Sequence, residues 1–133
     1  MTDAPPLTDL QVALLRVLWE RKEATVAEIC AALRSERPLA PTTVATLLSR
    51  LEKRGVVRHR TVARQYVYRA VVSEQEVRRS MVGELTERLF DGDVAALVSH
   101  LLTSEAVGPD DLQKVRALLA DRLAGKERND DPR

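Results

Sequence analysis

Apolar residues recur at helical spacing through most of the chain, and the period shortens to two in one place. Over Ala40–Gly55, APTTVATLLSRLEKRG, Val44, Leu47, Leu48 and Leu51 stand at i, i+3, i+4 and i+7, which predicts one helix of about four turns with a single apolar stripe. Thr42, Thr46, Ser49 and Lys53 fall on the opposite side, with Thr43 and Arg50 on its flank. Pro41 suits the first helical turn and Gly55 the C-terminal stop. Upstream, Thr8 and Gln11 have capping-box spacing and Leu7 and Val12 have staple spacing. They open a helix whose inner face is Leu10, Leu14, Val17 and Leu18, with Trp19 closing it as the largest buried anchor. Thr25 and Glu28 open a second, shorter helix with Val26, Ile29, Cys30 and Leu33 on one stripe. Cys30 reads as a small core residue there. Arg34–Leu39 is a polar turn into the third helix.

After Gly55 the pattern alternates. Val56–Arg60 and Gln65–Arg69 predict two strands joined by a loop at Thr61–Arg64, without a glycine at the turn. Tyr66 and Tyr68 share one face, and Arg58, His59, Arg60 and Arg64 cluster near the tip. Two helices, a turn, a third helix with a polar outer face and a basic hairpin are the order of a winged helix-turn-helix. Short hydroxyls near a helix start can reach base edges or phosphates, and Arg and Lys can clamp phosphate or guanine. The candidate nucleic-acid contacts are therefore Thr42, Thr43, Thr46, Arg50 and Lys53 on the helix, with Arg58, His59, Arg60 and Arg64 on the hairpin.

Helical spacing resumes at Ser73, where Ser73 and Glu76 make a third capping box. Val77, Met81, Leu85 and Leu89 then recur every fourth residue up to Phe90. Asp91–Gly92–Asp93 breaks the chain, and Val94, Leu97, Val98, Leu101 and Leu102 form the next apolar side. Pro109 starts a last helix with Leu112, Val115, Leu118, Leu119 and Leu123 on its stripe. Three such helices carry more aliphatic surface than one thin layer buries alone, so a second copy related by a twofold axis is the expected partner. The expected division is a DNA-binding domain over 1–72, a helical dimerisation domain over 73–124 and a disordered tail over 125–133. The fold class is mainly α with a small β-hairpin.

Charge sharpens this reading. The whole chain has a formal net charge of only +1, yet residues 34–69 hold nine Arg or Lys against Glu36 and Glu52. A basic segment in an otherwise acidic chain suits a polyanion surface. Aromatic residues are 3% of the chain, so the core is aliphatic. With one cysteine no intrachain disulfide forms. The first residues, MTDAPPLTD, have neither the basic nor the apolar region of a signal peptide, and no apolar run reaches membrane-spanning length. A cytoplasmic protein is expected. His59 and His100 have no Cys or His at zinc spacing, and no nucleophile elbow or phosphate loop is present. No enzyme activity, metal or cofactor is expected.

Three runs carry a family resemblance: LTDLQVALLRVLWERKEATVAEI, APTTVATLLSRLEKRGVVRHRTVARQYVYRAVVSEQEV and RLFDGDVAALVSHLL. Over about residues 7–123 the sequence resembles the penicillinase-repressor family of bacterial winged-helix regulators, the BlaI/MecI/CopY group. The resemblance implies a homodimeric repressor bound to an inverted-repeat operator, with intertwined C-terminal helices. It implies that Thr43, Thr46 and Arg50 face the major groove and that Arg60 and Arg64 are wing contacts. The implied dimerisation residues include Val77, Met81, Leu85, Leu89, Leu97, Leu101, Leu112, Val115 and Leu119. The ending LAGKERNDDPR has no cysteine, which excludes a copper sensor of that family's metal-responsive branch. In the antibiotic-responsive branch a membrane sensor–protease system triggers cleavage at an Asn-Phe bond. The corresponding place here is His100-Leu101. Release by a small molecule or by oxidation of Cys30 is the alternative, and a winged helix that binds protein instead of DNA is the competing class.

Overall fold

A computed structural model describes residues 7–129, and the side chains through Gly125. The elements in order are α1 (Asp9–Arg21), β1 (Ala24–Thr25), α2 (Val26–Leu33), α3 (Pro41–Lys53), β2 (Val57–Val62), β3 (Gln65–Ala70), α4 (Glu74–Phe90), α5 (Val94–Leu102) and α6 (Pro109–Asn129). The chain divides into two compact units between Glu84 and Leu85. That division falls inside α4, twelve residues after the boundary at 72 that the helix start suggests.

The first unit has one aliphatic core. Leu14, Leu15 and Leu18 of α1, Ile29 of α2, Val44, Leu48 and Leu51 of α3 and Val57 of β2 are all fully buried. At about 1.5–3 kcal/mol per buried aliphatic side chain, this cluster is the main stabilising term of the unit. Leu15 lies outside the predicted stripe. It is buried because α1 packs on two sides, against α2 and against the sheet. Leu10 is only half-buried. Trp19 does not close α1, which continues to Arg21. The indole is half-buried, and its Nε1 donates to the carbonyl of Val72 at 2.9 Å. An indole N–H needs such an acceptor, which keeps the ring at the edge of the core.

The sheet is antiparallel in the order β1-β3-β2. The two-residue β1 pairs Ala24 with Tyr68 and Thr25 with Val67. The hairpin loop is shorter than the predicted Thr61–Arg64. Thr61 and Val62 belong to β2, and Val62 pairs with Gln65 across a two-residue turn at Ala63–Arg64. Both turn residues have positive φ, 50° and 69°. That geometry matches the right-handed twist of the strands, and the tertiary context imposes it without the usual glycine.

All three predicted capping boxes form, at Thr8/Gln11, Thr25/Glu28 and Ser73/Glu76. The backbone N–H of Thr25, and that of Ser73, donates to the carboxylate three residues on, and this bond holds Glu28 and Glu76 below the usual 4.5. A carboxylate with a lowered folded-state pKa contributes stability above its unfolded pKa, and that contribution disappears as pH falls through the folded value. In thermal melts stepped down from neutral pH, a Glu28→Gln/Glu76→Gln chain keeps both acceptors but cannot titrate. It is expected to lose Tm less steeply below pH 4.5 than the native chain. Equal slopes would contradict this.

The C-terminal helices are mostly bare within one chain. α4 ends where the N–H of Gly92 donates to the carbonyl of Thr86 at 3.0 Å, with Asp91 and Gly92 both at positive φ. Asp93 caps α5 by accepting from the N–H of Ala96. A strict four-residue repeat turns about 40° around a helix at each step. Accordingly Val77 is buried and Met81 half-buried, while Leu85 and Leu89 are 42% and 71% exposed. The predicted tail does not begin at 125, because α6 continues through Asn129. The expectations for residues 1–6 and 130–133 lie outside the described residues.

Candidate nucleic-acid interface

The third helix is fixed from behind and open in front. Val44, Leu48 and Leu51 seat it in the core, and its C-terminus is closed by Gly55 at φ 79°. There Val56 N–H donates to Leu51 and Gly55 N–H to Glu52, the two bonds of a Schellman cap. On the outer side Thr42, Thr43, Thr46, Leu47 and Arg50 line one shallow open concavity. Four of the five polar residues predicted for this face are thus brought together, and the fifth, Lys53, is exposed one turn on from Ser49. Ala40 at the N-cap makes no side-chain hydrogen bond, so the first-turn amides are open to a phosphate oxygen. The Thr46 hydroxyl donates to the Thr42 carbonyl at 2.9 Å. What it offers outward is therefore its methyl group and acceptor lone pairs. That pairs with a thymine methyl or an amino hydrogen of adenine or cytosine.

The hairpin's two faces are chemically different. Val57 and Tyr68 are buried, and the register places His59 opposite Tyr68 and Thr61 opposite Tyr66 on that inner face. The outer face carries Arg58 directly opposite Arg69, and Arg60 opposite Val67. Arg58, Arg60, Arg64 and Arg69 are all exposed. Two like charges opposite one another are mutually destabilising unless an anion lies over them. Arg69 escaped the sequence reading, although strict alternation from Arg58 and the hairpin register would have found it.

Two of the contacts predicted on the hairpin have side-chain partners inside the unit. Arg60 donates to both carboxylate oxygens of Glu23, in the turn before β1. The pair is largely exposed and contributes little to stability, so a phosphate can replace Glu23. His59 differs from the arginines grouped with it. Its Nδ1 lies 2.8 Å from both oxygens of Glu52 on α3, and its ring stacks on Tyr66 with centroids 3.9 Å apart. Burial, then the Glu52 carboxylate and Tyr66, push the Tyr68 hydroxyl above its usual value, so Tyr68 stays neutral. Among the described residues no group of three or more His, Cys, Asp and Glu is placed to hold a metal ion. No helix there is long and apolar enough to cross a membrane.

A helix-turn-helix core, an exposed Thr/Arg helix face and a basic hairpin define a winged-helix DNA-binding regulator. The penicillinase-repressor family matches residues 7–121, and the chain belongs to it. The family consists of transcriptional repressors, not enzymes. The chain is 36% identical over 121 residues to the transcriptional regulator BlaI of Mycobacterium tuberculosis, covering 90% of this chain and 86% of that one. It is 21% identical to the penicillinase repressor of Bacillus licheniformis over 96% of this chain and 99% of that one. The solved DNA-binding domain of the repressor BlaI is similar in structure, with a TM-score of 0.50 and 26% identity. That match covers 57% of this chain and 93% of that domain.

Proposed function

We propose that the chain is a cytoplasmic homodimeric repressor of an inverted-repeat operator. α3 lies in the major groove of each half-site, and the hairpin lies along the adjacent backbone. The observation that carries this reading is the gathering of Thr42, Thr43, Thr46 and Arg50 on one open face of a helix that Val44, Leu48 and Leu51 seat in the core from behind. On the hairpin, Arg58, Arg64 and Arg69 supply phosphate contacts, and Arg60 joins them once it leaves Glu23. The twofold partner is a second copy. Eleven of the fourteen large hydrophobics exposed among the described residues lie between Val82 and Leu123. A patch of that kind marks an interaction surface. The assigned dimer contacts Leu85, Leu89, Leu101, Leu112 and Leu119 are exposed in the single chain, while Leu97 and Val115 are half-buried.

Release follows from loss of the dimer. His100 and Leu101 lie within α5, a nine-residue helix between two breaks. A protease needs extended backbone, and a helix this short is marginal on its own, so it opens locally at low cost. A cut at His100-Leu101 separates α6 from the DNA-binding unit and removes its share of the apolar surface. The reading is tested by selecting bound duplexes from random DNA with the full chain and titrating salt. It predicts an enriched inverted repeat and an affinity that falls linearly on a log–log salt plot. No enrichment over input DNA would refute it.

A further inference from the structure

We infer that Glu52, His59 and Tyr66 form a bracket that sets the angle between the recognition helix and the wing, and that they position Arg64 for DNA without touching it. The inference rests on the DNA-binding reading above.

The wing needs such a brace because it is a lever. β2 is buried at Val57, and of its remaining residues only His59 is half-buried, the others being exposed. β1 holds β3 as far as Val67, opposite Arg60. Beyond that register the hairpin extends about 10 Å to Ala63, so a swing of ~10° there carries the tip ~1.7 Å, more than a hydrogen bond tolerates. The covalent link from α3 is short, but it is a capped glycine turn, which fixes the start of the strand and not its tilt. His59 is the next residue on the inner face of β2 after Val57, and it reaches back to the last turn of α3. A carboxylate has no proton to give, so Nδ1 carries the hydrogen and donates it to Glu52. Tyr66, from the opposite strand, covers the imidazole at an interplanar angle of 18°. The ring is thus held in its own plane by the helix and across that plane by the other strand. Tyr68, tilted against the same ring, closes the third side. Glu52 is otherwise an odd residue for a polyanion-binding surface, since its charge repels the phosphates around it.

The test uses the full chain on a duplex that the native protein selects from random DNA. Glu52→Gln and Glu52→Ala remove the same charge, but only glutamine keeps an acceptor for Nδ1–H. Each is made alone and together with Arg64→Ala. The bracket predicts that Glu52→Gln binds at least as tightly as the native chain. It predicts that Glu52→Ala binds about fivefold or more weaker than Glu52→Gln, with a salt slope lower by about one. In the Glu52→Ala background, Arg64→Ala is then expected to cost almost nothing further. If Glu52→Ala does not fold, His59→Phe keeps the stack on Tyr66, loses the carboxylate bond and carries the same comparison. Equal affinities for the two Glu52 variants, with an undiminished Arg64→Ala penalty in both, would overturn the bracket while leaving DNA binding intact. Native chain that selects no duplex would overturn both.

Discussion

Leu101→Asp, and separately Leu85→Asp, should leave the DNA-binding unit folded and yet abolish tight operator binding. In the single chain the two leucines are 51% and 42% exposed. A carboxylate at such a site changes the stability of a monomer by about 0.5 kcal/mol or less. At a dimer interface the same carboxylate is buried without a partner, at a cost of several kcal/mol. The size of the effect is therefore itself evidence for the second copy. Once monomeric, each winged helix still meets its half-site, but the second half-site no longer benefits from the first. The lost effective concentration is about 100-fold or more in affinity. Sedimentation at a concentration where the native chain is dimeric should show monomer for both variants. A dimer that survives both changes would mean that these stripes pack elsewhere.

Arg50→Ala should produce the largest loss from any single residue on the reading face. Arg50 is exposed and lies in the concavity with the three threonines, so its truncation leaves the core untouched. A guanidinium that donates to the two acceptors of a guanine contributes about 1–3 kcal/mol of discrimination at that base pair. The expected result is about a fivefold to 150-fold loss per half-site, concentrated at one base-pair position in a panel of single substitutions. A uniform loss across the panel would reassign Arg50 to phosphate. Unchanged affinity would remove it from the interface.

Local chemistry made much of this legible in the sequence. The stripe Val44, Leu47, Leu48 and Leu51 marks the buried side of α3 and hence its Thr/Arg side, except that Leu47 sits half-buried at the edge and lines the outer concavity. The capping boxes mark helix starts at single-residue precision. What escaped depended on contacts distant in sequence. β1 is two residues long, and its partner Tyr68 stands far downstream of Ala24, so no local pattern announces it. The turn at Ala63–Arg64 adopts positive φ because the strands flanking it are held in register, and its residues carry no such preference. His59 was grouped with the arginines because it is basic and near the tip. Its register partner Tyr68 shows that it faces inward, a fact that needs the pairing and not merely the alternation. Glu23 belongs to no local pattern, and Glu52 counts in the sequence only as a charge in the basic segment. They become partners of Arg60 and His59 only when α3, β1 and the hairpin are assembled. The charged stretch 125–133 reads as a tail on composition alone, yet Lys126, Glu127 and Arg128 are good helix formers, and α6 continues through Asn129.

A hydroxyl-radical footprint of the full chain on a duplex selected from random DNA tests the central claim most directly. Two symmetric protected half-sites should appear, with centres separated by about 10 base pairs or a multiple, and each should show protection on the backbone beside the groove that α3 enters. A single asymmetric block of protection, filled by one chain per duplex, would contradict a twofold repressor read out through α3 and the wing.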